Sequence, residues 1–313
     1  MRSEVLRCLF DNPLTPDQTS KRIYLLATYF TRRTGRLDEH LKHSYFRRTT
    51  ALSRVMDYGK GLPSVTKALP TVEIVEVIRR SEHGMTEPFI CRGDDDNFYF
   101  VKGIGAGRDS QIKEWISGNL ALLFDLPIAP FKLVTVPEEI LEVLPAGHAR
   151  ALGAGPAFGS LERRVTEITF PQIHSVPLEI RKALLCFDWW ISNGDRCLSE
   201  NGGNPNLFWK PNSRELVVID HNQAFDFDVT ANDFFRDHIF HDVSAEIADD
   251  LVERQIYTDK MTYSLSHWDA IVAALPEEWF YIDSEMTIKV DLTTAELKLH
   301  LLRYLNDDFW NWK

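Results

Sequence analysis

The sequence predicts an α+β fold, and the order of its segments is the main evidence. Strand-like segments concentrate between residues 72 and 136, whereas apolar residues at helical spacing dominate from residue 177 onward. One short hairpin pattern is embedded in the helical half. This order differs from the regular strand–helix alternation of a doubly wound sheet. Apolar residues make up 44% of the 313 residues, which is enough for a substantial core.

Residues 1–64 are predicted to form a helical, basic N-terminal extension. Apolar and aromatic residues recur at helical spacing in Lys21–Thr31 and Leu37–Tyr58, and Gly59–Pro63 has the composition of a linker. Residues 1–55 contain 11 Lys and Arg against 5 Asp and Glu, a net +6, whereas the remaining residues carry −17. The extension could therefore dock on the acidic remainder, in the same or a neighbouring molecule, or recruit a partner.

Composition argues against several classes of protein. The net charge of −11 makes direct nucleic-acid binding unlikely, because phosphate contacts need clustered Lys and Arg. The four cysteines form no C-x-x-C pair, so neither a disulfide framework nor a zinc site is indicated. The apolar run Ile23–Phe30 is too short to span a bilayer, which takes about 20 residues, and the first residues lack the pattern of a secretion signal. A cytoplasmic protein without membrane attachment is expected.

The β-rich region is predicted over residues 65–145. Its strands are expected at Val72–Arg79, Pro88–Arg92, Asn97–Lys102 and Phe131–Val136. Gly93–Asp96 has the composition of a hairpin turn. Apolar residues at three- and four-residue spacing predict a helix over Asp109–Phe124, with Asp109 as its N-cap. The Gly- and Ala-rich segment Pro145–Ser160 is predicted to be a loop or hinge.

Residues 146–313 are predicted to form a mainly helical region. It contains a strongly apolar helix over Pro177–Ser192 and ends in an amphipathic helix over Thr294–Trp310. Two short strands, Asn206–Trp209 and Glu215–Ile219, are expected between them, separated by a turn over residues 210–213.

The polar residues around this second hairpin suggest a chemistry. Asp195 follows the apolar helix, Asn204 comes just before the hairpin, and Asp220 ends the second strand. Two carboxylates and an amide thus meet at one loop-and-hairpin unit. Phosphoryl transfer needs an Asp to orient or deprotonate the acceptor hydroxyl, and oxygen ligands to hold Mg²⁺ against nucleotide phosphates.

The same segment resembles a known family. NGDRCLSENGGNPNLFW…VVIDHNQAF is similar to the N-x-D-R…N-P-N-L…I-D-H-x-x-A signature of the HipA-like kinases. The resemblance implies a bilobed protein-kinase-like fold, with a β-rich nucleotide-binding lobe, a helical catalytic lobe, and ATP and Mg²⁺ as cofactors. It assigns Asp195 as the catalytic-loop Asp and Asn204 and Asp220 as metal ligands. Asn204 lies nine residues after Asp195 rather than the five common in the family, so Asn206 remains an alternative.

The resemblance also implies ATP-binding residues in the β-rich region. Lys102 ends a hydrophobic strand, as does the Lys that anchors ATP phosphates in kinases, and Glu114 in the following helix is the acid expected to hold its ammonium group. The connection between the first two strands takes the place of the phosphate-binding loop, with Ser81, Gly84 and Thr86 as its candidate residues.

Other interpretations remain open at this point. Asp195, Asp220 and Glu114 could be ordinary solvated acids, and Lys102 a surface residue at a strand end. The glycines of Gly103–Gly107 resemble a dinucleotide-binding motif, but the third glycine position is Arg108 and a hairpin precedes the segment.

The resemblance implies a Ser or Thr hydroxyl on a protein as the phosphate acceptor, and a regulatory or antitoxin-like partner is possible. The alternatives are a nucleotide-binding pseudokinase that acts as an interaction protein, and a small-molecule kinase.

Overall fold

A computed structural model describes residues 71–81, 86–210, 213 and 215–312. It contains both strands and helices, in agreement with the mixed class predicted from the sequence. The predicted N-terminal extension over residues 1–64 lies outside the described residues.

The first part of the described chain forms a closed β-barrel. Its strands, in chain order, are β1 (Val72–Arg80), β2 (Phe89–Gly93), β3 (Phe98–Lys102), β4 (Phe131–Val136) and β5 (Gly155–Leu161). Neighbouring strands follow the order β1–β2–β3–β5–β4, and β4 returns to pair with β1. The β1–β4 pair is parallel and the other pairs are antiparallel. The predicted turn Gly93–Asp96 connects β2 to β3, and all four predicted strands are present.

Inward-facing residues of these strands fill the barrel. Together with Leu152, which lies outside the strands, we call them the barrel core; the strand residues are Val72, Ile74, Phe89, Cys91, Tyr99, Val101, Val134, Val136 and Ala157. Most of them are β-branched or aromatic, the types that pack well on a pleated surface. Along β1 the buried residues Val72 and Ile74 alternate with exposed ones, which is the period expected of a strand with one buried face.

Helices make up most of the remaining structure. They are α1 (Arg108–Leu123), α2 (Glu138–Glu142), α3 (Ala146–Leu152), α4 (Leu178–Trp190), α5 (Ala231–Asp237), α6 (Ser244–Ala248), α7 (Leu251–Leu265), α8 (Trp268–Ala273) and α9 (Thr294–Leu301). Short 3₁₀ helices lie at Ile104–Ala106, Phe170–Ser175, His241–Val243, Glu277–Phe280, Leu302–Leu305 and Asp307–Trp310. No helix among the described residues combines the length and the apolar character needed to cross a bilayer.

Helix α4 lies at the centre of a second, larger core. Every residue from Arg181 to Trp190 is buried. Two of its indoles bond to the C-terminal segment, because Trp189 Nε1 donates to Phe309 O at 3.0 Å and Trp190 Nε1 donates to Leu301 O at 2.8 Å. We call this the helical core; besides α4 it includes buried residues of α1 and α5 to α9.

Two small sheets complete the structure. β9 (Leu207–Trp209) and β10 (Leu216–Val218) form the predicted second hairpin, and β6 (Thr166–Glu167) pairs with β9. β7 (Cys197–Ser199) and β8 (Gly202–Asn204) form a separate two-stranded hairpin.

The prediction of a loop over Pro145–Ser160 is wrong. The segment forms helix α3 and most of strand β5, so the barrel extends past residue 145, at which we expected the β-rich region to end. Its small residues serve close packing instead of flexibility. At Gly159, for example, an added Cβ would lie 2.6 Å from a methyl carbon of Val134.

Two predicted helix ends also differ from the structure. The N-cap of α1 is Gly107, and Asp109 lies in the first turn without a capping hydrogen bond. The last predicted helix, Thr294–Trp310, is α-helical only to Leu301 and continues as 3₁₀ turns. A stop at this point could not be read from apolar spacing, since the 3₁₀ turns also bury Tyr304, Phe309 and Trp310.

Two glycines, Gly103 directly after β3 and Gly147 within α3, give a stability prediction. An added Cβ at Gly103 would lie 2.1 Å from Leu152 O, so Gly103→Ala must displace backbone of α3, and we expect a loss of about 1–3 kcal/mol in unfolding free energy. Gly147, within α3, has no atom within 4 Å of an added Cβ, so Gly147→Ala should be neutral or stabilise by up to about 1 kcal/mol. Urea unfolding of both variants measures the difference. Equal unfolding free energies of the two variants would contradict the close packing that we assign to Gly103.

Candidate active site

Lys102 lies at the centre of a cluster of buried charges. It is the last residue of β3 and is only 7% exposed. Its Nζ donates to Glu114 Oε1 and, at 2.8 Å, to Asp220 Oδ1. The structure therefore brings together three of the residues singled out in the sequence, although Lys102 and Asp220 are 118 residues apart.

Glu114 is held from a second direction. It lies on α1, is 3% exposed, and its Oε2 accepts a hydrogen bond at 3.1 Å from the backbone N–H of His221. Gln111, one turn earlier, donates from Nε2 to the carbonyl of Lys102 at 2.6 Å. Sequence reasoning missed Gln111. The sequence feature that could have identified it is a polar residue next to Ile112 in a helix that apolar spacing predicts to be buried on that face.

The three charged groups of this cluster shift one another's pKa values. Burial alone would lower the pKa of Lys102, but Glu114 and Asp220 raise that pKa above its ordinary value. Burial would raise the pKa of Asp220, yet the Lys102 ammonium holds the pKa of that carboxyl below its usual range. Burial raises the pKa of Glu114, which Lys102 opposes and Asp220 reinforces. At pH values above the raised pKa of Glu114, both carboxyls are ionised and one ammonium cannot balance them, so the cluster then carries excess negative charge.

Asp195 lies in the turn that follows α4. Its Oδ2 accepts hydrogen bonds from Asn204 Nδ2 at 2.6 Å and from Asn206 Nδ2 at 3.2 Å. Burial, followed by the negative charge of Asp220, raises the pKa of Asp195, while the two amides oppose the rise. Asp195 and Asp220 are thus close enough to interact, and both candidate amides contact the same carboxylate.

The segment that holds the four extra residues, Cys197–Gly203, folds together with Asn204 as the hairpin β7–β8. Arg196 closes the base of this hairpin: one of its terminal nitrogens donates to the carbonyls of both Pro205 and Asn206 at 3.1 Å. The hairpin therefore accommodates the extra residues, while Asn204, at the end of β8, and Asn206 both contact Asp195. We expected a loop here, and the unusual spacing has a structural explanation.

A buried ion network under this hairpin was missed by sequence reasoning. Arg196 and Asp188 are fully buried, and Arg196 Nε donates to Asp188 Oδ2 at 2.7 Å. Asn193 Nδ2 contacts Asp188 Oδ1 at 2.9 Å, and His238 Nε2 lies 3.1 Å from Asp188 Oδ2. Although burial would raise the pKa of Asp188, Arg196 and His238 hold that pKa well below its usual range.

The signal for this network was a single acid inside an apolar helix. Asp188 interrupts the run Leu184–Trp190, and a carboxylate at such a position needs a buried partner. The Arg immediately after Asp195 was the natural candidate.

The residues present fit a magnesium ion. Asp220, with φ 57°, and the side-chain oxygen of Asn204 or Asn206 supply the hard oxygen ligands that Mg²⁺ prefers. The excess negative charge around Asp220 and Asp195 is a second feature that a divalent cation would balance. The described residues contain no cluster of three or more His, Cys, Asp or Glu side chains able to hold a metal ion.

The candidate phosphate loop is only partly described. Ser81 follows β1, its backbone N–H donates to Pro88 O at 2.8 Å, and Thr86 precedes β2. Gly84 lies outside the described residues, so the role of this connection stays a prediction.

Removing Arg196 should strongly destabilise the protein. In Arg196→Met the Asp188 carboxylate would remain buried without its main partner, a change that costs about 3–5 kcal/mol in unfolding free energy. Arg236→Met is the matched control, because Arg236 pairs with Asp233 and Asp237 on the surface and should contribute little. Chemical denaturation of both variants tests this prediction, and similar stabilities would show that the Asp188–Arg196 pair does not hold the loop.

Comparison with known proteins gives the family. A family model described as HipA-like kinase matches residues 74–313. A search of curated proteins found no match. Among solved structures, the crystal structure of a Helicobacter pylori proinflammatory kinase, CtkA, is similar with a TM-score of 0.37 and 11% identity, over 76% of this chain and 95% of that chain. Because the family model covers well over half of the sequence, the chain belongs to the HipA-like kinase family.

Proposed function

We propose that this protein is an ATP- and Mg²⁺-dependent phosphotransferase that transfers the γ-phosphate to a Ser or Thr hydroxyl of a protein. The observation that carries the proposal is the buried Lys102 ammonium held by Glu114 and Asp220. Membership of the HipA-like kinase family supports the class of reaction and suggests the class of acceptor.

In this proposal the barrel and the helical part form two lobes that clamp ATP between them. Lys102, at the end of a barrel strand, binds α- and β-phosphate oxygens, and Glu114 keeps its ammonium pointing toward them. The connection that contains Ser81, Gly84 and Thr86 covers the phosphates. Asp220 accepts a hydrogen bond from the same ammonium group and supplies the metal-binding side of the ATP site.

Asp220 and the side-chain oxygen of Asn204 or Asn206 would hold the Mg²⁺. When bound, the ion neutralises charge on the β- and γ-phosphates as it develops during transfer. Asn206 is 7% exposed and Asn204 is exposed, so Asn206 is the more enclosed of the two residues.

Asp195 would orient the acceptor hydroxyl and accept its proton. The hydroxyl oxygen forms a bond to the γ-phosphorus, the bond between that phosphorus and the bridging oxygen breaks, and ADP leaves. The amides of Asn204 and Asn206 hold the Asp195 carboxylate in place through one of its oxygens. Burial raises the pKa of Asp195, which makes it a better proton acceptor than an exposed Asp.

Asp195→Asn should abolish transfer while leaving ATP binding largely intact, because the amide keeps the shape of the side chain but cannot accept the proton. We expect a loss of at least about 100-fold in rate. The assay is radiolabelled γ-phosphate transfer from ATP with Mg²⁺, to the protein itself and to a generic basic protein, with calorimetric ATP binding in parallel. Asp228→Asn, an exposed carboxylate in a nearby segment, is the matched control and should keep full activity.

The outcomes of this assay separate the candidate functions. Transfer by wild type and by Asp228→Asn alone supports a protein kinase that depends on Asp195. Equal transfer by Asp195→Asn removes Asp195 from the mechanism. ATP binding without any transfer favours the pseudokinase or a small-molecule acceptor, and the same assay with metabolite hydroxyls then distinguishes these two.

A further inference from the structure

Helix α1 carries Glu114 but packs with the helical core. Its buried apolar residues Ile112, Trp115, Ile116 and Leu120 all belong to that core and none belongs to the barrel core. Lys102 lies at the end of a barrel strand. The ion pair between Lys102 and Glu114 therefore joins the end of a barrel strand to a helix that belongs to the helical core.

Contacts from the C-terminal helices hold α1 along its length. In the middle of the helix, Trp115 Nε1 donates to Ile271 O on α8 at 3.1 Å. At its end, Lys260 Nζ on α7 donates to Phe124 O at 3.0 Å. At its start, burial lowers the pKa of Arg108, and the nearby charge of Glu278 opposes that shift.

The barrel also contacts this helix. Trp115 contacts the ring of Phe131 on β4 edge to face, with 5.6 Å between centroids. Gly118 permits this approach, because an added Cβ would lie 2.8 Å from the Phe131 ring. Trp115 is thus a buried residue, 1% exposed, that touches both parts and directly follows Glu114 in sequence.

We propose that Trp115 is a positioning residue that holds Glu114 where it binds Lys102, acting through the indole hydrogen bond to Ile271 O. The C-terminal helix α8 thereby sets the position of the Lys102–Glu114 pair. The consequence for phosphate transfer rests on the function proposed above. The effect on Lys102 itself does not, and it can be measured without nucleotide.

The test uses Trp115→Phe, which keeps an aromatic ring and removes the indole N–H. The matched control is Trp189→Phe, which removes an equally buried indole bond, to Phe309 O at 3.0 Å, on a different helix of the same core. The first readout is the rate at which an amine-reactive reagent labels Lys102, followed by peptide mass spectrometry. The second is amide hydrogen exchange across residues 108–123, and urea unfolding measures the stability of each variant.

We expect Trp115→Phe to raise the labelling rate of Lys102 and the exchange of α1 by about tenfold, since one hydrogen bond contributes about that factor to an equilibrium constant. Trp189→Phe should leave both rates near the wild-type values. In a Glu114→Gln background, Trp115→Phe should add no further labelling, because its action passes through Glu114. If wild type transfers phosphate, Trp115→Phe should also slow transfer more than Trp189→Phe does.

Three results are decisive. Lys102 labelling that is unchanged in Trp115→Phe, or raised equally by Trp189→Phe, would overturn the proposal and leave Trp115 a packing residue. Additive effects of Trp115→Phe and Glu114→Gln would overturn the route through Glu114. Raised labelling with no transfer by wild type would support the positioning role and count against the proposed catalytic function alone.

Discussion

The arrangement of the described residues depends on the buried ammonium group of Lys102. Removing the charge of Lys102 from water is costly, and the structure offsets that cost with the carboxylates of Glu114 and Asp220. The three residues come from a barrel strand, a helix and the end of a hairpin, so the pairing ties distant parts of the chain to one point. Because two carboxylates share one ammonium, negative charge remains, and this excess suits a site that binds a divalent cation with phosphates.

A second buried ion pair supports the loop that carries Asp195 in a comparable way. Arg196 and Asp188 are both fully buried, and the same guanidinium closes the hairpin that follows Asp195. Buried charge in this protein organises the loops, whereas apolar packing builds the barrel and the helical core that carry them.

Local patterns predicted much of the fold. β-Branched and aromatic runs predicted the first strands, and the lone acids Asp195 and Asp220 at the ends of apolar segments marked residues that the structure places within electrostatic reach of each other. Patterns failed where tertiary packing decides the outcome. The small residues of Pro145–Ser160 look flexible in sequence but allow close approach in the barrel. The second partner of Asp188 could not be identified from spacing, because His238 lies 50 residues away and is joined to it only by folding.

The most direct test of the account is a crystal structure with Mg²⁺ and a non-hydrolysable ATP analogue. We expect Lys102 Nζ to contact phosphate oxygens while it remains paired with Glu114. We also expect the metal to be held by Asp220 and one of the two amides, Asn204 or Asn206, with Asp195 facing the γ-phosphate. A nucleotide bound away from Lys102, or a metal held without Asp220, would contradict the account.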